Sequence, residues 1–232
     1  MSPKGMVVEL ARRVPVVEPE HRKGAGPAGR MVMAIRGESL LEDLISLGFK
    51  MVWATVGLFW LWSARGVKRS SRTEPLLLQL VVYWAPLLMA FLLLGPSDWF
   101  QGSFLNERFI PKALWTKGVG LALAVAGAML ACWSRHILGR NWSSVVQLKQ
   151  DHELIESGPY RYIRHPIYTG LLLAFLGTAL KVGDWRGLLA VAIVLASFWR
   201  KLGVEERWLS EEFGAAYAAY RRRTKALVPG VI

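Results

Sequence analysis

The chain has 232 residues, of which 53% are hydrophobic, with eleven tryptophans and a formal net charge of +12. That is too apolar for an ordinary soluble domain, because runs of ~20 apolar residues cannot stay exposed in water. The positive charge lies between apolar segments and so points to loops facing anionic lipid rather than to nucleic acid, and the single cysteine, Cys132, excludes a disulfide framework or a multi-cysteine metal site within one chain.

In chain order, residues 1–40 mix Pro, Gly and charges without a period and read as a mobile tail. They are not a signal peptide, since no apolar core follows the early charges. Met31 and Met33 just precede the first organised segment, and a start there is an expectation that sequencing the mature N-terminus would check. The first span is about Leu44 to Trp62, with Arg65, Lys68, Arg69 and Arg72 close behind. The second is about Leu76 to Leu94 and contains Pro86, which a membrane helix tolerates as a kink. Residues 95–113 form a turn-rich connection. The third span, about Ala113 to Trp133, carries small residues at Gly118, Gly120, Ala124, Gly127, Ala128 and Ala131, which let backbones approach closely. The apolar stretch Ile167 to Trp199 is broken at Lys181, Gly183 and Asp184. It reads as a helical hairpin whose halves, about 15 residues each, are short for full spans. Residues 204–223 are amphipathic and read as an interfacial helix. The C-terminal Pro229-Gly230-Val231-Ile232 is not a prenylation box.

The expected fold is thus an all-α integral membrane protein of about five transmembrane helices, the last two a hairpin, followed by a C-terminal interfacial helix. Residues 41–232 form one membrane domain. The basic loops 65–72 and 135–165 both face the cytoplasm if the N-terminus lies outside, which suits a multi-pass protein of a prokaryotic cytoplasmic membrane. Oligomeric state is left open.

The densest constellation runs from Gly158 to Gly170: Gly158-Pro159-Tyr160-Arg161-Tyr162-Ile163-Arg164-His165-Pro166-Ile167-Tyr168-Thr169-Gly170. Gly158-Pro159 makes a bend, and Pro166 suits a first helical turn, where a missing N–H is harmless. Free N–H groups at that turn suit an anionic group, and His165 and Tyr168, three apart, share a helix face. The plainer alternative is a helix anchored at the headgroups by its Arg, His and Tyr side chains. Glu205-Glu206 follow Arg200-Lys201 at the end of the hairpin. A carboxylate close to the bilayer usually has a partner or a job, the alternative being a surface acidic pair. His152 and His165 match no compact zinc spacing. No Gly-rich phosphate loop and no nucleophile elbow is present.

These residues resemble the isoprenylcysteine carboxyl methyltransferase family, membrane enzymes related to phospholipid methyltransferases. The resemblance rests on His152-x-Leu154-Ile155, Gly158-Pro159-Tyr160, Arg164-His165-Pro166-x-Tyr168-x-Gly170, Glu205-Glu206-x-x-Leu209 and Phe213-Gly214-x-x-Tyr217-x-x-Tyr220. Their joint order is more specific than any one of them. It covers residues 139–229, and the first 110 residues match only as membrane spans. The resemblance implies that S-adenosylmethionine binds at Gln147, His152, Glu153, Leu154, Ile155, Tyr160, His165, Pro166, Ile167, Tyr168 and Glu205. It also implies a lipophilic acceptor drawn from the bilayer: a prenylcysteine or isoprenoid carboxylate, or a phospholipid amine. Where prenyl-protein members use Arg for the substrate carboxylate, this chain has Lys201, preceded by Arg200, and Lys lacks the planar fork that grips a carboxylate twice. Lys201, Arg200 and Glu205 are the catalytic candidates. A gap between the third span and the hairpin is the expected way in for a lipid tail. A sterol-type reductase using a nicotinamide cofactor and a non-catalytic scaffold are the competing readings.

Overall fold

The computed structural model describes residues 27–65, 70–142, 147–149 and 154–230. The chain divides into two compact units, Met1–Leu40 and Leu41–Ile232. The first helix, α1 (Pro27–Ser63), begins in the first unit, so residues 27–40, expected to be part of a mobile tail, are helical. Every contact described below lies within the second unit.

The fold is all-α, with α2 over Leu76–Leu93, α3 over Leu114–Leu138, α4 over Pro166–Val182, α5 over Trp185–Phe213 and α6 over Ala215–Arg223. A short antiparallel pair, β1 (Ser70–Thr73) with β2 (Gln147–Lys149), ties the segments after α1 and α3, Thr73 facing Gln147. Four helices are long and apolar enough to cross a membrane: Arg36–Ser63, Leu76–Leu93, Leu114–Leu138 and Trp185–Phe213. This is a multi-pass membrane protein. Its outer faces carry exposed Leu58, Leu61, Leu77, Met129 and Trp133, an arrangement stable in lipid and not in water. The expected fifth span, α4, has 17 residues and is about 26 Å long at 1.5 Å per residue, short of the ~30 Å hydrocarbon core.

The end of the hairpin differs from that expected. The second half of the hairpin does not end near Trp199: α5 continues unbroken to Phe213, and the turn comes at Gly214, whose φ of 49° is open to glycine. The charged run from Arg200 onward is the polar continuation of one helix, not a new one. In α2, a π-turn over Leu80–Trp84 precedes Pro86. Proline cannot donate to the carbonyl four residues back, which here is Val82, and the Ser197 hydroxyl of α5 donates to that oxygen instead at 2.8 Å.

The tightest packing is α3 on α4. Their glycines interlock: a Cβ on Gly170 would lie 2.5 Å from the Gly127 carbonyl oxygen, and one on Gly120 would lie 2.5 Å from that of Gly177. The small-residue stripe of α3 therefore does what its composition implies. It also leaves no gap for a lipid tail between α3 and the hairpin, contrary to expectation. At the far end, Gly183 (φ 73°) turns α4 into α5. There Asp184 pairs with Arg108 and Arg186, each at 3.3 Å, and Arg186 donates to the carbonyls of Leu93 and Gly95 at the end of α2.

Candidate functional site

The site is built on the corner that starts α4. Gly158 (φ 59°) opens a 3-10 turn over Gly158–Arg161, and Pro166 occupies the first helical turn, as its chemistry favours. Two donors at this corner are already used. Arg164 N–H donates to the Lys225 carbonyl at 2.8 Å, and His165 N–H to that of Ala226 at 3.0 Å. The C-terminal segment thus laces the corner, and the Thr169 hydroxyl adds a bond to the Leu227 carbonyl at 2.7 Å. Nothing in the sequence pattern announces this lacing.

Against the corner stands α5 with its two acids. The Tyr168 hydroxyl donates to Glu205 Oε1 at 2.7 Å. The His165 ring, stacked on Tyr168 at 5.5 Å between centroids, lies between the carboxylates: Nδ1 is 3.6 Å from Glu205 Oε2 and Nε2 is 3.3 Å from Glu206 Oε1. Glu206 also pairs with Arg164 at 2.6 Å and Arg221 at 3.3 Å. His165 and Tyr168 from the corner and Glu205, some way off in sequence, are one cluster.

That cluster forms the polar end of a cavity of about 460 Å³. Four helices present side chains to it at helical spacing: Trp53, Val56 and Trp60 from α1; Trp84, Leu87 and Phe91 from α2; Tyr168, Leu171 and Phe175 from α4; Phe198, Lys201 and Glu205 from α5. From Tyr168 to Phe175 the wall runs about 10 Å along α4. It ends in an aromatic cluster in which Phe175 lies 4.8 Å from Trp53 and 5.3 Å from Phe91. The first two spans, which carry no recognisable motif, furnish much of the apolar wall. Gly57 and Trp84 line the cavity and are also exposed, so it reaches the outer surface of the bundle beside α1 and α2.

Two buried polar atoms facing this space have no hydrogen-bond partner among the described residues: Asn141 Oδ1 and the Tyr217 hydroxyl. An unsatisfied buried polar group costs about 1–3 kcal/mol, so each is suited to a polar ligand. Burial raises the Tyr217 phenol well above the usual tyrosine range, keeping it a neutral donor. Tyr220, whose hydroxyl donates to the Tyr160 carbonyl at 2.7 Å, is likewise pushed up to about 12, mainly by burial.

Of the residues expected in the site, Leu154, Ile155, Tyr160, His165, Ile167, Tyr168, Lys201 and Glu205 line the cavity. Pro166 is buried beside them. Gln147 lies in β2, its backbone paired with Thr73. His152 and Glu153 fall outside the described residues. Arg200 does not line the cavity; it donates to the Tyr83 hydroxyl at 2.7 Å and pairs with Glu74 at 3.3 Å. Lys201 is buried, with Nζ 5.2 Å above the Tyr168 ring and 5.5 Å above that of Tyr83. Sequence reasoning missed Asn141, Arg164, Tyr217 and the aromatic wall. Asn141 sits in the polar segment after α3, and Arg164 and Tyr217 lie inside the quoted motifs, which were the only signal for them.

The geometry is that of a carboxylate-bearing polar pocket opening into an aromatic cavity inside a membrane bundle, a shape suited to a molecule with a polar head and an apolar body. Residues 115–216 match the phospholipid methyltransferase family model. The chain is 28% identical over 120 residues to protein-S-isoprenylcysteine O-methyltransferase B of Arabidopsis thaliana, covering 50% of this chain and 61% of that protein. It is 34% identical over 94 residues to the Schizosaccharomyces pombe protein-S-isoprenylcysteine O-methyltransferase, covering 39% of this chain and 40% of the other. It thus spans less than two thirds of each relative's length. Among solved structures, the eukaryotic intramembrane Ras methyltransferase ICMT matches with a TM-score of 0.44 and 21% identity, over 68% of this chain and 54% of that one. Over about half of its length the chain is thus similar to protein-S-isoprenylcysteine O-methyltransferases, the resemblance that its motifs carry.

Proposed function

We propose that this chain is a membrane O-methyltransferase that takes a methyl group from S-adenosylmethionine and places it on the carboxylate of a prenylcysteine-like or isoprenoid acceptor, at the cytoplasmic membrane face. The observation that carries this reading is one cavity with an acid-bearing polar end at the Pro166 corner and an aromatic end between membrane helices. A water-soluble donor and a lipid-borne acceptor have to meet at such a junction.

The residues present fit the donor. When bound, S-adenosylmethionine supplies an activated methyl on a cationic sulfur. Glu205, held by Tyr168, offers a carboxylate suited to the donor's ammonium or its ribose hydroxyls. Asn141 and Tyr217 offer the two buried polar atoms that have no partner among the described residues. Leu154, Ile155 and Tyr160 supply apolar and aromatic surface at the same end. For the acceptor, the wall from Trp53 to Phe175 suits a prenyl chain. Lys201 in its ammonium form favours an anion over a cation. A carboxylate is ionised at pH 7, so the acceptor needs no general base, and the protein's work is alignment and exclusion of water, worth up to roughly 7–11 kcal/mol. A lipid amine would have to be held neutral by a base, and Lys201 at the cavity opposes binding of its cationic form.

Ligand binding in detergent tests the reading. S-adenosylhomocysteine is expected to bind and NADPH not to. Labelled methyl from the donor is expected on an S-prenylated cysteine acid and not on its amide. Binding of NADPH without S-adenosylhomocysteine overturns the methyltransferase reading in favour of a reductase. Methylation of a lipid amine but not of the acid overturns the choice of acceptor.

A further inference from the structure

Beside its cavity-facing stripe, α5 presents a second one: Trp199, Leu202 and Glu206, again at spacings of three and four. This stripe faces a separate open groove of about 580 Å³ between α5, the end of α6 and the C-terminal segment. Four cations line it, Arg164, Arg221, Arg222 and Lys225, against one carboxylate, Glu206. That carboxylate is already engaged by Arg164 at 2.6 Å and Arg221 at 3.3 Å. Arg222 and Lys225 are exposed and have no carboxylate partner among the described residues.

The groove straddles a polarity boundary. The apolar run of α5 ends at Trp199, and Arg200-Lys201 follow. Trp199 is half exposed, as an indole at headgroup level is. The apolar floor of the groove is therefore on the bilayer side and its cations on the aqueous side. A soluble anion has no use for the Trp199 side, and a neutral lipid none for the cations.

We infer that this groove binds one anionic phospholipid, its phosphate at Arg222, Lys225 and Arg221 and its acyl chain along Trp199. The lipid is not the methyl acceptor, because the groove lies on another face of α5 from the cavity. The site adjoins the reaction centre through Glu206, which contacts both Arg221 and His165.

The test is titration of phosphatidylglycerol into the full-length protein held in phosphatidylcholine nanodiscs, with bound lipid counted by native mass spectrometry. One phosphatidylglycerol is expected per chain. R222Q/K225Q is expected to weaken it about 30-fold, since each cation near an anionic lipid is worth roughly fivefold. R161Q/R207Q removes the same charge from two other exposed positions and is expected to leave binding intact. Equal losses in the two variants would mean diffuse surface charge and overturn the site, as would equal affinity for added phosphatidylcholine. Displacement by glycerol 3-phosphate at lipid-like concentrations would show a soluble-anion site and overturn the lipid assignment. Should R222Q/K225Q fail to fold, R222K/K225R is expected to keep binding and Trp199→Ala to weaken it, and the reverse pattern refutes the site. None of these readouts depends on methyl transfer.

Discussion

Replacing Gly170 by alanine is the smallest change that should move the whole site. Its Cβ would sit 2.5 Å from the Gly127 carbonyl oxygen and 2.7 Å from the Ala131 nitrogen, where ordinary contact begins at 3.4 Å. Both obstacles are backbone, so no side chain can rotate out of the way. α3 and α4 have to part by about 0.9 Å, and overpacking of this kind typically costs about 1–3 kcal/mol. Gly170 lies two residues from Tyr168 and five from His165, so the displacement is passed directly to the corner. A shift of ~1 Å at a reacting site can cost about a hundredfold in rate. Gly118, on the same α3, has nothing within 4 Å of its hypothetical Cβ. Gly118→Ala is therefore the control and should be neutral, or stabilising by up to about 1 kcal/mol through loss of backbone freedom in the unfolded chain. Thermal unfolding in detergent and affinity for S-adenosylhomocysteine read the two effects. Wild-type behaviour of Gly170→Ala, or equal damage from Gly118→Ala, would refute the claim that close backbone contact sets the site.

Two further outcomes follow from the same geometry. Tyr168→Phe deletes the 2.7 Å hydrogen bond to Glu205; bonds to charged groups are worth about 1.5–3 kcal/mol, so affinity for S-adenosylhomocysteine should fall by roughly one to two orders of magnitude with helix content unchanged, and a loss smaller than about threefold by titration calorimetry argues against Glu205 as a ligand group. At alkaline pH the Tyr220 phenol stays protonated in the native protein up to about 12 while the unfolded chain ionises near 10.0. The unfolded state then binds fewer protons, so this group's stability is intact below pH 10 and drains away between about 10 and 12. Melting temperature should fall across that window, and Tyr220→Phe should flatten the fall.

The start of α4 was legible because Gly-Pro and Pro at a first turn leave few backbone choices, and the α3 stripe because lipid gives helices little reason to associate except close packing. The length of α5 was not legible. Arg200, Lys201, Glu205 and Glu206 look like the end of a span, yet a helix can leave hydrocarbon without ending, and only Gly214 terminates this one. The aromatic wall was hidden for a different reason. Trp53, Trp84 and Phe91 have the composition of lipid-facing residues, and in a membrane the inner and outer faces of a helix are both apolar, so periodicity cannot separate them. The π-turn before Pro86 rotates the N-terminal part of α2 relative to the rest, an adjustment that a sequence window does not report.

The two adjacent acids show why motif and mechanism have to be separated residue by residue. Successive positions on a helix point about 100° apart, so Glu205 and Glu206 cannot serve one face. Glu206 has both oxygens engaged, Oε1 by Arg164 and His165 and Oε2 by Arg221. Its Arg164 partner also donates to the Thr224 carbonyl, which joins the C-terminal segment to the corner. A carboxylate saturated in this way is a fastener. Glu205 is the more exposed of the two, its side chain 23% accessible against 10%, and it lines the cavity while Glu206 does not. The cavity-facing acid is therefore the one held by the Tyr168 phenol, and the one surrounded by guanidinium groups fastens His165 and the C-terminal segment in place.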